Sequence, residues 1–586
     1  RAARSAAAPP RPQQRPGRAR PPGALGVALM NERHFAFWPK GRPFTFPVPQ
    51  TNLALNLATS AARFPNHPAI VYYDTPISYA RLWEQVEALA GYLVNRAGVK
   101  RGDRVVLYMQ NAPQFVIAYY AIMRADAVVV PLNPMLVAEE LGIYLEDSGA
   151  TVAIVGQELA PRLADYAGKP LTAIVVAAYN DALERPTDIA LPPAVAAPRA
   201  PLPGPPFVAF ADALAAGERA GPVTTGGDDM ALLPYTSGTT GRPKGCVHTH
   251  ATIQTTAFAT PMWGAGLNPG RRVLSVLPYF HVTGMTGDMN ATLMCGSTIV
   301  MLTRWDPATT LLLIERYQAT SMTAISTMVI DLLAHPGYRR EALASLMHLS
   351  GGGAPLPAAV GTELSERLGL NYQEGYGLTE TIAMTHANPQ DRTKLQCLGI
   401  PTFGVDSRVI DPETLRELGP NETGEIITHG NQVMKAYWRQ PEATSEAFIE
   451  LDGKRFFRTG DLGYVDDEGY FFLVDRLKRM INVAGFKVWP AEIETKLFAH
   501  PAVKEACVIA TTDPRIGERV KALIVKREGA DVNAGEIVAW AREHMAVYKA
   551  PSVVEFVDAL PRSGSGKVQW RQLQEDEQRR AAPAPA

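Results

Sequence analysis

Hydrophobic positions in the first third of the chain alternate between helical spacing and short uninterrupted apolar runs. The spacing predicts a helix over 78–98 with Ser78 as its N-cap. Its apolar face comprises Leu82, Val86, Leu89 and Leu93. The runs at 102–108, 127–131 and 151–155 are separated by helical segments and predict buried strands. This alternation is typical of a layered α/β fold with a mostly parallel sheet.

The pattern changes twice along the rest of the chain. Residues 184–227 are rich in Ala, Pro and Gly and predict a surface excursion, and a second α/β unit follows over 269–376. After Gln396, shorter strands and tight turns predict a small β-subdomain, and beyond Asp475 a compact α+β cap is expected. We therefore predict a disordered or extended segment at 1–50, a large N-terminal domain at 51–475, a C-terminal cap at 476–575 and a tail at 576–586.

Composition excludes several classes of protein. The 586 residues are 46% hydrophobic and 20% charged, with a net charge of −1, so no overall field attracts nucleic acid or an anionic membrane. The longest apolar stretch, 115–136, is interrupted by Arg124 and Asp126, so no integral membrane segment is predicted. The four cysteines are widely separated without a Cys-x-x-Cys pair, which fits a reducing, cytoplasmic compartment.

The segment 235–245 carries the chemistry of a polyanion site. Glycines let backbone N–H groups approach phosphate oxygens, hydroxyls donate hydrogen bonds, and a lysine supplies positive charge. The candidate ligands are Thr236, Ser237, Gly238, Thr239, Thr240, Gly241 and Lys244. The segment is not a Walker A loop, because Gly245 follows Lys244 where that motif has Ser or Thr.

This segment resembles the phosphate loop of the adenylate-forming superfamily, which includes acyl-CoA synthetases, aryl-CoA ligases and luciferases. Further segments match that superfamily in its order, and together they cover roughly residues 50 to 575: 351–355, 376–381, 457–462, 474–494 and 560–568. The resemblance implies the adenylate-forming fold, a large domain of layered α/β subdomains followed by a small mobile cap. It also implies ATP, Mg²⁺ and coenzyme A as cofactor and co-substrates.

The resemblance further assigns a role to individual positions. Adenine would lie between a turn and a strand, formed by Gly353, Ala354 and Pro355 on one side and Gly375, Tyr376 and Gly377 on the other. Thr379 would contact the α-phosphate, and Glu380 would hold Mg²⁺, which prefers oxygen ligands. Asp461 would bind the ribose hydroxyls and Arg476 the ribose or phosphate. Lys478 occupies the hinge position, Gly485 lies along the pantetheine tunnel, and Lys567 bridges the acyl carboxylate and α-phosphate.

The resemblance implies a two-step ligase that converts a carboxylic acid to acyl-AMP and then to acyl-CoA. Segment 277–285 resembles the acyl pocket of fatty acyl-CoA synthetases, with His281 either a wall residue near the carboxylate or a core histidine. No aspartate is available there to pair an amino group, so an apolar acid is favoured. Val282, Gly284, Met285 and Gly287 would admit an alkyl chain. We therefore predict a medium- or long-chain fatty acid as substrate.

Two other functions remain open at this stage. One is an aryl- or short-chain acid CoA ligase, and the other is a non-catalytic AMP or acyl-CoA sensor. A sensor would have no need of Thr379, Glu380 and Lys567, and luciferase-like oxidation is disfavoured because Asn482 replaces the family's oxidative lysine. The expected partners are small molecules only, with peripheral membrane contact and the choice between monomer and homodimer left open.

Overall fold

The computed structural model describes residues 32–236, 243–264, 266–353, 356–483, 486–513, 517–563 and 567–581, with the backbone only for Lys478, Lys487 and Ala581. Its first layer is a seven-stranded sheet that is parallel except for one edge strand. In spatial order its strands are His248–Thr249, Met230–Leu232, Val128–Pro131, Arg104–Tyr108, Val152–Gly156, Ala173–Ala177 and Phe207–Ala209. The three strands predicted near residues 104, 128 and 152 are therefore adjacent.

A nine-stranded sheet forms the second layer. Its six central strands run parallel, and both edges are antiparallel. In spatial order they are Ile400–Pro401, Ala383–Ala387, Tyr372–Leu378, His348–Gly352, Ser321–Thr323, Arg272–Ser275, Thr298–Met301, Pro68–Tyr72 and Thr75–Ser78. The carboxyl ends of the central strands lie at one edge, where ligands bind in open α/β sheets.

Two five-stranded sheets complete the strand inventory of the described chain, apart from the short hairpin Tyr235–Thr236 with Lys244–Gly245. The predicted β-subdomain contains Asp406–Ile410, Gly424–His429, Phe448–Leu451, Lys454–Val465 and Phe471–Arg476, all antiparallel. The cap contains Ile481–Val483, Phe486–Val488, Val503–Asp513, Gly517–Lys526 and Val553–Phe556.

Helices cover the sheets as the periodicity predicts. The predicted helix near residue 78 is Tyr79–Asn95, and the Ser78 hydroxyl accepts a hydrogen bond from the Arg81 backbone N–H at 3.3 Å. The remaining α-helices are Ala54–Arg63, Pro113–Arg124, Ala138–Ser148, Pro193–Ala196, Phe210–Ala215, His250–Trp263, Ala291–Met294, Pro307–Tyr317, Ser326–Ala334, Ala358–Leu368, Pro441–Glu446, Pro490–Leu497, Ala534–His544 and Trp570–Ala581. A π-helix spans Gly284–Asn290. No helix in the described ranges is long and apolar enough to cross a membrane.

Residues 32–49, the described part of the segment predicted to be disordered or extended, contain ordered structure. Glu32–Phe37 forms a 3₁₀-helix. Trp38 is buried, and its ring meets those of Trp263 and Phe403 edge-on at 4.9 and 5.5 Å. Aromatic pairs of this geometry add to the energy of burial. Hydrophobic periodicity missed this segment because the aromatics pack on residues more than 200 positions away.

Candidate active site

Glycines at the carboxyl edge of the nine-stranded sheet let two backbones approach closely. Strand residues Gly352 and Gly375 are in register, and a Cβ on Gly352 would lie 2.4 Å from the Gly375 carbonyl oxygen. A Cβ on Gly377 would lie 1.4 Å from the carbonyl oxygen of Ala383. Gly353 has a φ of +84°, which favours glycine. The predicted adenine segments are therefore adjacent, and only glycine fits at these contact points.

Three predicted nucleotide ligands form one group at this edge, linked by a hydrogen bond and an ion pair. The Tyr376 hydroxyl donates to Asp461 Oδ2 at 2.6 Å, and Arg476 Nε lies 2.8 Å from Asp461 Oδ1. The two charged residues are paired across neighbouring strands of the β-subdomain. Asp461 is buried, and its charge raises the pKa of Arg476. The carboxylate is thus fixed in place, with its orientation set by two partners.

Lys567 reaches this group from the C-terminal cap. Its Cε and Nζ lie 3.2 and 3.6 Å from the position of a Cβ on Gly353. Lys567 is exposed to solvent on one side, but desolvation by the surrounding protein, followed by the charge of Arg476, lowers its pKa. Burial also lowers the pKa of His281 to about 4, with the charge of Lys567 contributing, so the imidazole is neutral at pH 7. The structure therefore brings Lys567, His281 and the adenine turn together.

Glu380 connects the group to the base of the predicted phosphate loop. The Tyr437 hydroxyl donates to Glu380 Oε1 at 3.0 Å, and Lys244 Nζ lies 4.9 Å from the centroid of the Tyr437 ring. Thr236 and Lys244 face each other across the short hairpin. Burial raises the pKa of Glu380. Thr379 lies beside it in the 3₁₀-helix Thr379–Thr381, and the Thr379 carbonyl oxygen is 2.8 Å from His248 Nε2.

The donor set fits a magnesium ion that is held mainly by substrate. No cluster of three or more His, Cys, Asp or Glu side chains suited to a metal occurs among the residues that the structure describes. Glu380 offers one hard carboxylate, partly desolvated, beside the hairpin that carries Lys244. Mg²⁺ commonly takes one or two protein carboxylates and completes its shell with phosphates and water. Glu380 is the described residue that fits this role.

Several predicted site residues lie outside the described chain. They are Ser237, Gly238, Thr239, Thr240, Gly241, Ala354, Pro355 and Gly485. For Lys478 the backbone alone is described, within the 3₁₀-helix Leu477–Arg479. Their roles stay predictions from the resemblance.

Sequence reasoning missed three residues that support the site. They are Tyr437, which binds Glu380; His248, which contacts Thr379; and Glu374. Glu374 Oε1 accepts the backbone N–H of Leu356 at 2.9 Å, directly after the adenine turn, and burial raises the pKa of Glu374 to about 7. Glu374 could have been found from the sequence, because it directly precedes the predicted site residue Gly375. No local sequence pattern pointed to Tyr437 or His248.

The segment predicted as the acyl pocket exposes only one of its sides. His281, Thr283 and Gly287 are partly exposed, and no atom of the residues that the structure describes lies within 4 Å of a Cβ placed on Gly287. By contrast, Val282 and Met285 are buried, and a Cβ on Gly284 would lie 2.6 Å from the Pro278 carbonyl oxygen. These three were expected to admit an alkyl chain, and that expectation is wrong because they pack into the core. Of the four candidates, Gly287 alone faces open space.

Asp288 lies in the π-helix Gly284–Asn290 and is buried there. The raised pKa of its carboxyl leads to a testable prediction. Burial raises that pKa from 3.8 to about 7, although the Ser275 hydroxyl lies 3.3 Å from Asp288 Oδ2. The protonated carboxyl therefore contributes stability below pH 4 that is lost as the pH rises through 7. Asp288→Asn removes this dependence, so we expect its stability relative to the wild type to rise by up to about 4 kcal/mol between pH 4 and pH 7. Urea unfolding of both proteins at several pH values measures it, and parallel curves would contradict it.

Comparison with known protein families covers most of the chain. Residues 57–438 match the model of the AMP-binding enzymes, and residues 492–567 match the model of the AMP-binding enzyme C-terminal domain. A long-chain-fatty-acid–CoA ligase of Bacillus subtilis is 34% identical over 551 residues, covering 92% of this chain and 97% of the relative. A feruloyl-CoA synthase of an Amycolatopsis species is 36% identical over 508 residues, covering 86% of this chain and 94% of the relative.

A solved structure shows the same architecture. ATP-bound MatB from Rhodopseudomonas palustris superposes with a TM-score of 0.80 at 31% identity, covering 90% of this chain and 99% of MatB. The agreement extends over both the large domain and the smaller C-terminal one, so the predicted fold class is confirmed.

Proposed function

The chain belongs to the AMP-binding, adenylate-forming family of acid–CoA ligases, and we propose that it activates a medium- or long-chain fatty acid. In the first step, a carboxylate oxygen of the acid attacks the α-phosphorus of ATP, and pyrophosphate leaves. In the second step, the thiol of coenzyme A attacks the acyl carbonyl, and AMP leaves. The products are acyl-CoA, AMP and pyrophosphate. A cytoplasmic location fits the four free thiols in the described chain.

Lys567 beside Gly353 is the observation that carries this proposal. The contact brings an ammonium group to the adenine turn, next to Asp461, Arg476 and Glu380. Negative charge moves onto phosphate oxygens in the first step, and a fixed cation in a partly desolvated site stabilises that charge. Asp461 would orient the ribose, and Glu380 would hold Mg²⁺, which would neutralise charge on the phosphates when bound. A non-catalytic sensor would not require this arrangement.

The second step requires the cap to move. The cap places Lys567 beside Gly353, as the first step requires. For the second step, a rotation of the cap about the hinge at Lys478 would withdraw Lys567 and give the thiol of coenzyme A access to the acyl carbonyl. The two half-reactions therefore use two orientations of the cap.

We assign the carboxylic acid substrate from the side of the π-helix 284–290 that faces open space. Thr283 and Gly287 present no charge there, and Gly287 leaves its side-chain position empty. An apolar chain needs such an uncharged, unobstructed wall. An aryl acid is the second candidate, because a feruloyl-CoA synthase is among the similar relatives. Fatty acids are favoured because the relative matched over more of this chain is a long-chain ligase.

A panel of acids separates these substrates. The protein is supplied with ATP, Mg²⁺ and coenzyme A, and thioester and pyrophosphate are measured for acids from C2 to C18, ferulate and benzoate. We expect the highest kcat/KM for a chain between C8 and C18. A maximum for ferulate or acetate would overturn the fatty-acid assignment while leaving the ligase intact. Binding of AMP without any thioester would support the sensor instead.

Gly287→Phe tests whether this position lines the acyl chain. The ring would fill the open space, so kcat/KM for long-chain acids should fall about tenfold or more relative to kcat/KM for short-chain acids. This is the effect expected when a few methylene groups of the acyl chain can no longer be buried. Gly221→Phe is the matched control, because a Cβ there also has no neighbour within 4 Å in the described part of the chain, and Gly221 is exposed in another region. An equal loss at every chain length would contradict the assignment.

A further inference from the structure

Asp475 lies three residues before the hinge position, in the strand Phe471–Arg476. Its carboxylate is buried, and each oxygen accepts a backbone hydrogen bond. Oδ1 accepts from Arg476 at 2.6 Å, and Oδ2 accepts from Ala491 at 2.7 Å. Ala491 is in the first turn of the cap helix Pro490–Leu497. The second bond therefore connects residues on opposite sides of Lys478.

The two residues joined by the second hydrogen bond, Asp475 and Ala491, belong to different parts of the molecule, the β-subdomain and the cap. Asp475 is held in the β-subdomain by its pairing with Leu462 in the antiparallel ladder. On the other side, Glu494 of the cap helix accepts the backbone N–H of Val508 at 2.8 Å, and it also pairs with Arg479. The chain directly after Lys478 is therefore bonded to the cap, whereas Asp475 is bonded to the β-subdomain of the large domain.

Charge favours this contact. A carboxylate at a helix N-terminus satisfies an N–H group that has no partner within the helix, and it lies at the positive end of the helix dipole. Arg479 Nη1, 3.9 Å from Asp475 Oδ1, adds a second favourable charge from the cap side. Rotation about Lys478 would carry Ala491 away and leave a buried carboxylate without this partner.

We infer that Asp475 is a positioning residue that holds the cap in the orientation that places Lys567 beside Gly353. It does not contact the reacting atoms, and it acts through the placement of Lys567. The inference rests on the proposed two-step function, since only an enzyme with two cap orientations needs a contact of this kind. It follows that loss of the Asp475 carboxylate should impair the first step alone.

Single-turnover measurements of each half-reaction test this role. In Asp475→Ala, acyl-AMP formation should slow about tenfold or more, in line with a lost charged hydrogen bond. Thioester formation from supplied acyl-AMP should be unchanged or faster, because the alternative orientation gains population. Asp475→Asn keeps one acceptor oxygen and should recover part of the first step.

Asp306→Ala is the matched control for this experiment. Asp306 Oδ1 accepts the backbone N–H of Thr309 at 2.7 Å in the first turn of Pro307–Tyr317, entirely within the large domain. Its loss should lower Tm without separating the half-reactions. Equal slowing of both half-reactions in Asp475→Ala and Asp475→Asn, or an unchanged first step, would overturn the inference. Absence of acyl-AMP formation by the wild type would instead overturn the proposed function.

Discussion

Lys567→Ala is expected to slow acyl-AMP formation by about 100- to 1000-fold, the usual loss on removing one positioned hydrogen-bond donor that stabilises charge in a transition state. In the proposed function Lys567 bridges the acyl carboxylate and the α-phosphate, and the structure places its ammonium group beside Gly353. Pyrophosphate release in a single turnover measures this step. Thioester formation from supplied acyl-AMP should be largely preserved, because in the proposed function the lysine leaves the site for that step.

Lys526→Ala provides the control for that comparison. Lys526 is an exposed cap lysine whose Nζ lies 4.7 Å from the centroid of the Phe556 ring within the cap, so its loss removes a similar charge elsewhere. Both half-reactions should remain near the wild-type rates. A Lys567→Ala protein that loses the two half-reactions equally would show that the lysine has another role.

Sequence predicted the parts of this molecule that depend on local pattern. The strands near residues 104, 128 and 152 are continuous apolar runs, and parallel strands buried on both faces have that pattern. The glycines at 352 and 375 have a sequence signal because close backbone approach excludes other residues. The helix after Ser78 has both a cap residue and a periodic face.

Contacts between distant segments had no such signal. Lys567 is more than 200 residues from Gly353, so only the family resemblance placed the two together. Tyr437 is an ordinary aromatic residue in sequence, and its bond to Glu380 depends on the packing of the β-subdomain against the sheet. The π-helix at 284–290 determines which residues of the predicted acyl pocket face open space. Its side chains do not follow the 3.6-residue period of an α-helix, so helical periodicity in the sequence could not predict them.

Asp461→Ala is expected to produce the largest loss, because this carboxylate has several partners at once. It accepts from Tyr376 and pairs with Arg476, and in the proposed complex it also binds the two ribose hydroxyls. Hydrogen bonds to a charged group contribute about 1.5–3 kcal/mol each, so two ribose bonds correspond to roughly 3–6 kcal/mol. We therefore expect kcat/KM for ATP to fall by about 10²- to 10⁴-fold.

The comparison with Asp406→Ala separates lost nucleotide contacts from lost stability. Asp406 is a buried carboxylate of the same β-subdomain, paired with Arg408 at 3.1 Å and with Lys454 at 2.7 Å. Asp461→Ala removes the carboxylate partner of Arg476, and Asp406→Ala removes the partner of Lys454 and one of the partners of the buried Arg408, so both should lower Tm. Only Asp461→Ala should raise KM for ATP, while KM for the acid should stay close to the wild-type value. A similar KM for ATP in the two variants would remove Asp461 from the nucleotide site and leave it a structural partner of Arg476.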